Sequence, residues 1–247
     1  MGFYDAIVIG LGEVGKPLLE LVERKHSAIG IDIEPVRASA TCGILHICFP
    51  FSGEFVSAAA EYINRYNPAL AIINSTVAPG TTRTIHRLTR TSIAYSPVRG
   101  KHIKMKQDLM RYTKYIGGID RESATRAAEH FQSLGMKTKV VSSPEAAELA
   151  KLTETTYFGV LIAWAQEVAR YCDQLHVDYD QVVSFYEEVP FFPPGKYVPG
   201  VIGGHCVMPN IRILRNVFRS DLLNAIVASN DMKIAQTGAL SSKEKSA

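Results

Sequence analysis

Tyr4-Asp5-Ala6-Ile7-Val8-Ile9 runs without interruption into Gly10-Leu11-Gly12-Glu13-Val14-Gly15, and Leu18, Leu19 and Val22 then recur at helical spacing. A β-branched run, a glycine turn and a helix in that order are the context in which G-x-G-x-x-G reads as a dinucleotide-binding fingerprint. The first glycine permits the tight turn, and the second lets backbone N–H groups approach a pyrophosphate. The third lets the helix lie close to the strand, with its N-terminal dipole toward the phosphates. Gly10, Gly12, Glu13, Val14 and Gly15 are therefore the expected phosphate-side contacts. A second strand over residues 28–33 carries Asp32, 17 residues past Gly15. A carboxylate there accepts from the ribose hydroxyls and repels a 2′-phosphate, so NAD is expected rather than NADP.

Further along, Ile44–Phe49 reads as the next strand. The 11 residues after Asp32 leave no room for a helical crossover and a further strand, so this nucleotide-binding half is expected to be abbreviated. Helices are expected over 55–66, 81–89 and 123–133, and strands over 70–74, 93–95, 112–117 and 137–141. Ser143-Pro144-Glu145 has the chemistry of a helix start. The helix it opens is expected to run to about His176, with Leu149, Leu152, Val160, Trp164, Val168 and Leu175 broadly on one side. A helix over 177–189 with Asp178 as cap, a Pro- and Gly-rich loop, a mostly helical stretch over 211–232 and a fraying tail from Thr237 complete the chain. The fold class is α/β: a Rossmann-type, doubly wound, mainly parallel sheet over 1–142, followed by an all-helical domain over 143–247.

Composition excludes several classes. Apolar content of 47% and charged content of 21% are those of a globular protein. A net charge of +3 in 247 residues argues for neither nucleic acid nor a membrane surface as partner. Cys42, Cys48, Cys172 and Cys206 have neither the pairing of a disulfide framework nor metal-ligand spacing, which suits a reducing cytoplasm and no metal. A secretory leader and a bilayer-length apolar run are both missing from the sequence.

Two further stretches carry chemistry. Arg99, Lys101, His102, Lys104 and Lys106 form a basic stretch that fits a solvated surface loop as well as a contact to an anionic small-molecule substrate. Gly203-Gly204-His205-Cys206 places a thiol behind a glycine pair, where backbone can approach a ligand and a thiolate could attack a carbonyl. Taken alone, that stretch also fits a turn with a small buried residue.

Together these segments resemble the UDP-glucose/GDP-mannose dehydrogenase family. The resemblance runs from Gly10 to about Leu214. It rests on the glycine turn with Lys16-Pro17, on Asn74-Ser75-Thr76-Val77-Ala78-Pro79-Gly80-Thr81, on Tyr95-Ser96-Pro97 and on Gly117-Gly118. Its most specific parts are Glu145-Ala146-Ala147-Glu148-Leu149-Ala150-Lys151-Leu152 and Gly203-Gly204-His205-Cys206. The resemblance implies NAD-dependent oxidation of a primary alcohol, on a sugar nucleotide or a smaller anionic alcohol. Cys206 would be the covalent nucleophile, Lys151 the stabiliser of the oxyanion, and Thr76 a residue that positions water beside the cofactor. Gly204 and His205 would line the substrate, and the chain would form a homodimer through its long helix.

Three positions depart from the family pattern. Val98 stands where Glu is usual, Thr155 where Asn is usual, and Asn210 where Asp is usual. The carboxylates that manage protons in the family are thus replaced, with Glu148, Glu154, His102 and His205 as candidate substitutes. The resemblance also implies a second α/β domain beyond the Cys206 loop, which this sequence does not contain. An NAD-binding sensor or complex subunit with reduced catalysis is the alternative reading.

Overall fold

A computed structural model of the chain describes residues 2–32, 40–100, 104–186, 189 and 197–244, with side chains to 238. Its packing divides the chain into two units, 1–151 and 152–247. The sequence places a boundary at 142/143; the packing places it eight residues into the long helix.

In the first unit the elements are β1 (Gly2–Ile9), α1 (Gly15–Val22), β2 (Ala28–Ile31), β3 (Ala40–Ile47), α2 (Phe55–Tyr66) and β4 (Leu70–Ile73). They continue with α3 (Thr81–Thr89), β5 (Ile93–Tyr95), α4 (Met105–Arg111), β6 (Lys114–Gly118), α5 (Arg121–Ser133), β7 (Thr138–Val140) and the start of α6 (Pro144–Leu175). The seven strands form one sheet in the order β2-β1-β3-β4-β5-β6-β7. All neighbours are parallel except β5 and β6. The sheet is doubly wound, as expected. The abbreviated half is visible too: β3 pairs directly with β1, and β2 is the edge.

The strand period of two assigns each apolar residue to a face. Ile7, Ile9, Ala71 and Ile73 pack with α2, α3 and Ala147 of α6. Ala6, Leu70 and Ile72 pack with Leu18 of α1, Leu109 of α4 and Phe131 of α5. β4 is buried throughout because helices cover both faces, so its LAII run shows no polar alternation.

α4 was read from sequence as part of a basic loop. Met105 and Leu109, four apart, turn its one apolar side into the core beneath the charges. α5 begins two residues earlier than the pattern predicts, because Asp120 and Ser123 form a reciprocal capping box.

The second unit holds the rest of α6, α7 (Tyr179–Ser184), α8 (Val207–Val217) and α9 (Asp221–Glu244). Asp178 caps α7 as expected, but α7 ends at Ser184. The stretch over 211–232, expected to be mostly helical, is so: it forms parts of two helices, parted at Phe218-Arg219-Ser220, and α9 continues through the tail expected to fray. Leu152, Ile202, Val207, Ile211, Leu223 and Ile226 form its main core. The predicted one-sided stripe on α6 does not exist. Leu152 and Val168 are buried, whereas Leu149, Trp164 and Leu175 are exposed.

Candidate functional site

β1 and the two strands beside it put the glycine turn where an open α/β sheet binds ligands. The strand order reverses direction at β1, so the crevice lies beyond the carboxyl ends of β1 and β3. Gly10 leaves β1 with φ of 88° and donates its N–H to Ile31 O at 2.8 Å. At Gly15 a Cβ would stand 1.7 Å from Gly10 O, so only glycine lets α1 start this close to the turn. Gly12 is the opposite case: a Cβ there would meet nothing within 4 Å. That free space sits at the start of α1, a helix with no side-chain cap and no acid in its first turn. Its positive end is thus open to an anion. Asp32 follows β2 and is exposed. The residues present fit a dinucleotide.

Thr76, half-buried, lies in the loop that leaves β4. The far end of this loop is clamped by Glu148 of α6, which is fully buried. One carboxylate oxygen accepts from Gly80 N at 2.7 Å; the other accepts from Thr82 N at 2.9 Å and Thr82 Oγ1 at 2.6 Å. Glu148 therefore caps α3 from another helix. Its three bonds leave it engaged in structure rather than in proton transfer, which corrects its place among the substitute acids. Burial raises its pKa, and the bonds from Thr82 and Gly80 oppose that rise. Glu148→Ala would leave three donors unpaired, the two of Thr82 buried, and we expect it to destabilise the first unit by about 3 kcal/mol in urea unfolding. A loss under about 1 kcal/mol would contradict the clamp.

Behind the same rim runs a buried polar chain that sequence reasoning did not find. Lys114, the first residue of β6, donates to Ser96 O, Pro97 O and Asn74 Oδ1. Asn74 Nδ2 lies 3.2 Å from His46 Nδ1, and His46 Nε2 lies 3.0 Å from His130 Nε2. Burial pushes His46 well below the usual histidine range and His130 down to about 4, so both are neutral at pH 7. The one sequence signal was an isolated Lys at the head of an apolar strand.

The basic stretch is partly consumed by the fold. Arg99 lies over the rings of Tyr112 (5.4 Å) and Tyr115 (5.1 Å) and donates to Thr113 O at 2.8 Å. Lys106 pairs with Glu20 of α1 at 2.5 Å. Lys101 and His102 lie outside the described residues. Val98, in place of the usual Glu, packs against the apolar cluster under α1, α4 and α5.

In the second unit, Cys206 occupies the N-cap position of α8, half-buried and with no acid in the helix's first turn. Gly204 has φ of 78° and open space around it, and His205 is exposed. One turn into α8, Asn210 donates to Thr155 Oγ1 of α6 at 2.9 Å, and Thr155 donates to Leu152 O at 3.1 Å. Two of the three positions that depart from the family pattern are thus bonded to each other. The approach to the Cys206 loop is held by Asn230 of α9, which accepts from Ile202 N at 2.7 Å, and by Gln166, which donates to Gly200 O at 2.7 Å. Lys151 closes the first unit, half-buried on α6.

Residues 145–234 match the model of the UDP-glucose/GDP-mannose dehydrogenase family, central domain. The chain is 33% identical to a UDP-N-acetyl-D-mannosamine dehydrogenase of Methanococcus vannielii, over 62% of this chain and 35% of that protein. With the enzyme of the same name from Methanococcus maripaludis it shares 29% identity, over 83% of this chain and 60% of that protein. The chain thus spans between a third and two thirds of these relatives. A solved UDP-D-ManNAc dehydrogenase from Pyrococcus horikoshii superposes with a TM-score of 0.80 at 21% identity, covering 98% of this chain and 72% of that one. That likeness shows the fold. No helix among the described residues is long and apolar enough to cross a membrane, and no metal-ligating cluster occurs among them.

Proposed function

We propose that the chain is an NAD-dependent oxidoreductase acting on the primary alcohol of an anionic substrate, a sugar nucleotide above all. The observation that carries this reading is the glycine turn at the sheet's switch point, with Gly12 open and the first turn of α1 free of acid. NAD bound there would supply the hydride acceptor. The backbone of residues 10–15 would hold the pyrophosphate, and Asp32 the adenosine ribose. Thr76 would meet the nicotinamide side from the rim of β4.

Cys206 is the nucleophile in this reading, its thiolate adding to the aldehyde carbon produced by the first oxidation. Lys151 would stabilise the resulting oxyanion. Gly204, His205, Lys101 and His102 would line the substrate, while Arg99 acts chiefly by bracing β6. The exposed Tyr157, Phe158 and Trp164 on α6 support a homodimer through that helix. A cytoplasmic location belongs to the same reading.

One observation favours the second reading, an NAD-binding sensor or subunit. Thr155 and Asn210 satisfy each other where the family pattern has a carboxylate, and Val98 has no proton to give. Incubation with NAD and a panel of UDP- and GDP-sugars and small anionic alcohols, followed by NADH absorbance, separates the two. The dehydrogenase reading expects NADH with at least one sugar nucleotide. Dinucleotide binding with no NADH from any alcohol would assign the chain to the sensor class.

A further inference from the structure

Lys114 is 3% exposed, and among the described residues no carboxylate pairs with it. Its Nζ lies 2.6 Å from Ser96 O, 3.1 Å from Pro97 O and 3.3 Å from Asn74 Oδ1. Ser96 and Pro97 follow β5, and Asn74 follows β4. One side chain from β6 therefore joins the two segments that leave neighbouring strands at the ligand-binding rim of the sheet.

The number of bonds depends on a proton. An ammonium has three N–H groups for these three acceptors; a neutral amine has two, and a lone pair that faces the third oxygen. Asn74 cannot rotate its amide to compensate. Its Nδ2 is bonded to His46 Nδ1 and to Ile72 O, both at 3.2 Å, which fixes Oδ1 toward Lys114. His46 must then carry its proton on Nε2 and donate to His130.

The charged and titratable surroundings come from every packed element. Burial pushes Lys114 down to about 7, Cys48 after β3 acts upward, and Lys151 of α6 and Arg99 after β5 act downward. From α5 the Phe131 ring lies 4.7 Å from Nζ, and the neutral His46 of β3 and His130 of α5 stand beyond Asn74.

We infer that Lys114 is a protonation-dependent cross-tie: as an ammonium it holds Asn74-Ser75-Thr76 to Ser96-Pro97-Val98, and as an amine it lets one carbonyl go. The longest bond, to Asn74, is the one that yields. Lys114 is thus a positioning residue for the rim that carries Thr76. Its consequence for the proposed dehydrogenase, and only that consequence, rests on the dinucleotide reading: NADH binds more weakly as pH rises through the midpoint.

Carbon-13 labelling of lysine Cε in the whole chain, followed by NMR across the neutral range, tests the tie without any ligand. One lysine is expected to titrate near 7, far from the ~10.4 of exposed lysines, and to vanish in Lys114→Met. The backbone amides of Ser75 and Val98 should shift with the same midpoint in the parent. They should stay still in Lys114→Arg, which keeps its charge and serves alone if the Met variant does not fold. A Lys114 that titrates with the surface lysines overturns the inference, as do loop shifts that persist unchanged in Lys114→Arg. NADH affinity is then measured separately over the same range. A chain whose tie titrates but which binds no NADH refutes the dinucleotide reading and leaves the tie standing.

Discussion

Gly15→Ala is expected to unfold the first unit at markedly lower denaturant, with dinucleotide binding lost alongside. The new methyl would lie 1.7 Å from Gly10 O, a backbone atom that cannot rotate away. Either α1 lifts off the sheet, withdrawing Leu18, Leu21 and Val22 from their core, or the turn deforms. Overpacking of this kind costs about 3 kcal/mol. Gly12→Ala is the partner experiment. Nothing lies within 4 Å of its Cβ, so its unfolding midpoint should match the parent's. Its affinity for NAD should nonetheless fall by about tenfold or more, a cost of ~1.4 kcal/mol, because the methyl takes the space a pyrophosphate would use. If both variants lose stability equally, the open space at Gly12 is an ordinary structural turn. If Gly12→Ala binds NAD like the parent, the phosphates lie elsewhere.

Cys206→Ser should abolish acid formation, by about 10³-fold or more, while leaving some aldehyde formation and NAD binding intact. Serine is the close isostere, so the loop held by Asn230 and Gln166 should keep its shape. What is lost is the more nucleophilic sulfur at the N-cap of α8. Product analysis by mass spectrometry distinguishes aldehyde from acid, and the thermal midpoint checks that α8 is undisturbed. Full acid output from the serine variant would remove Cys206 from the chemistry.

Much of the fold was legible because its determinants are local. Helices α2 and α3 and strand β5 have the bounds that periodicity and turn residues predict, since Asn67, Gly80 and Arg90 stop or start them with positive φ. The glycine turn was legible because its demands are steric and fall on three residues. α4 was hidden because charge dominates its composition, and two apolar residues suffice to seat a seven-residue helix. The outward face of α6 was misread because its apolar residues are too many for one stripe.

Site residues divide the same way. Cys206 and its glycines announce themselves by an unusual local composition. Lys114, Asn230 and the histidine chain do not, because their roles come from partners 17 to 84 positions away. Thr155 and Asn210 were each readable as departures. Only the fold shows that they meet, 55 positions apart in sequence.

The central claim is that the turn over residues 10–15, with Asp32, holds NAD. Calorimetric titration of the chain with NAD and then NADP tests it most directly, with Asp32→Ala titrated alongside. We predict saturable binding of one NAD per chain, weaker binding of NADP, and a loss of NAD affinity in the Asp32 variant. No saturable binding of either dinucleotide, or NAD affinity untouched by Asp32→Ala, would contradict it.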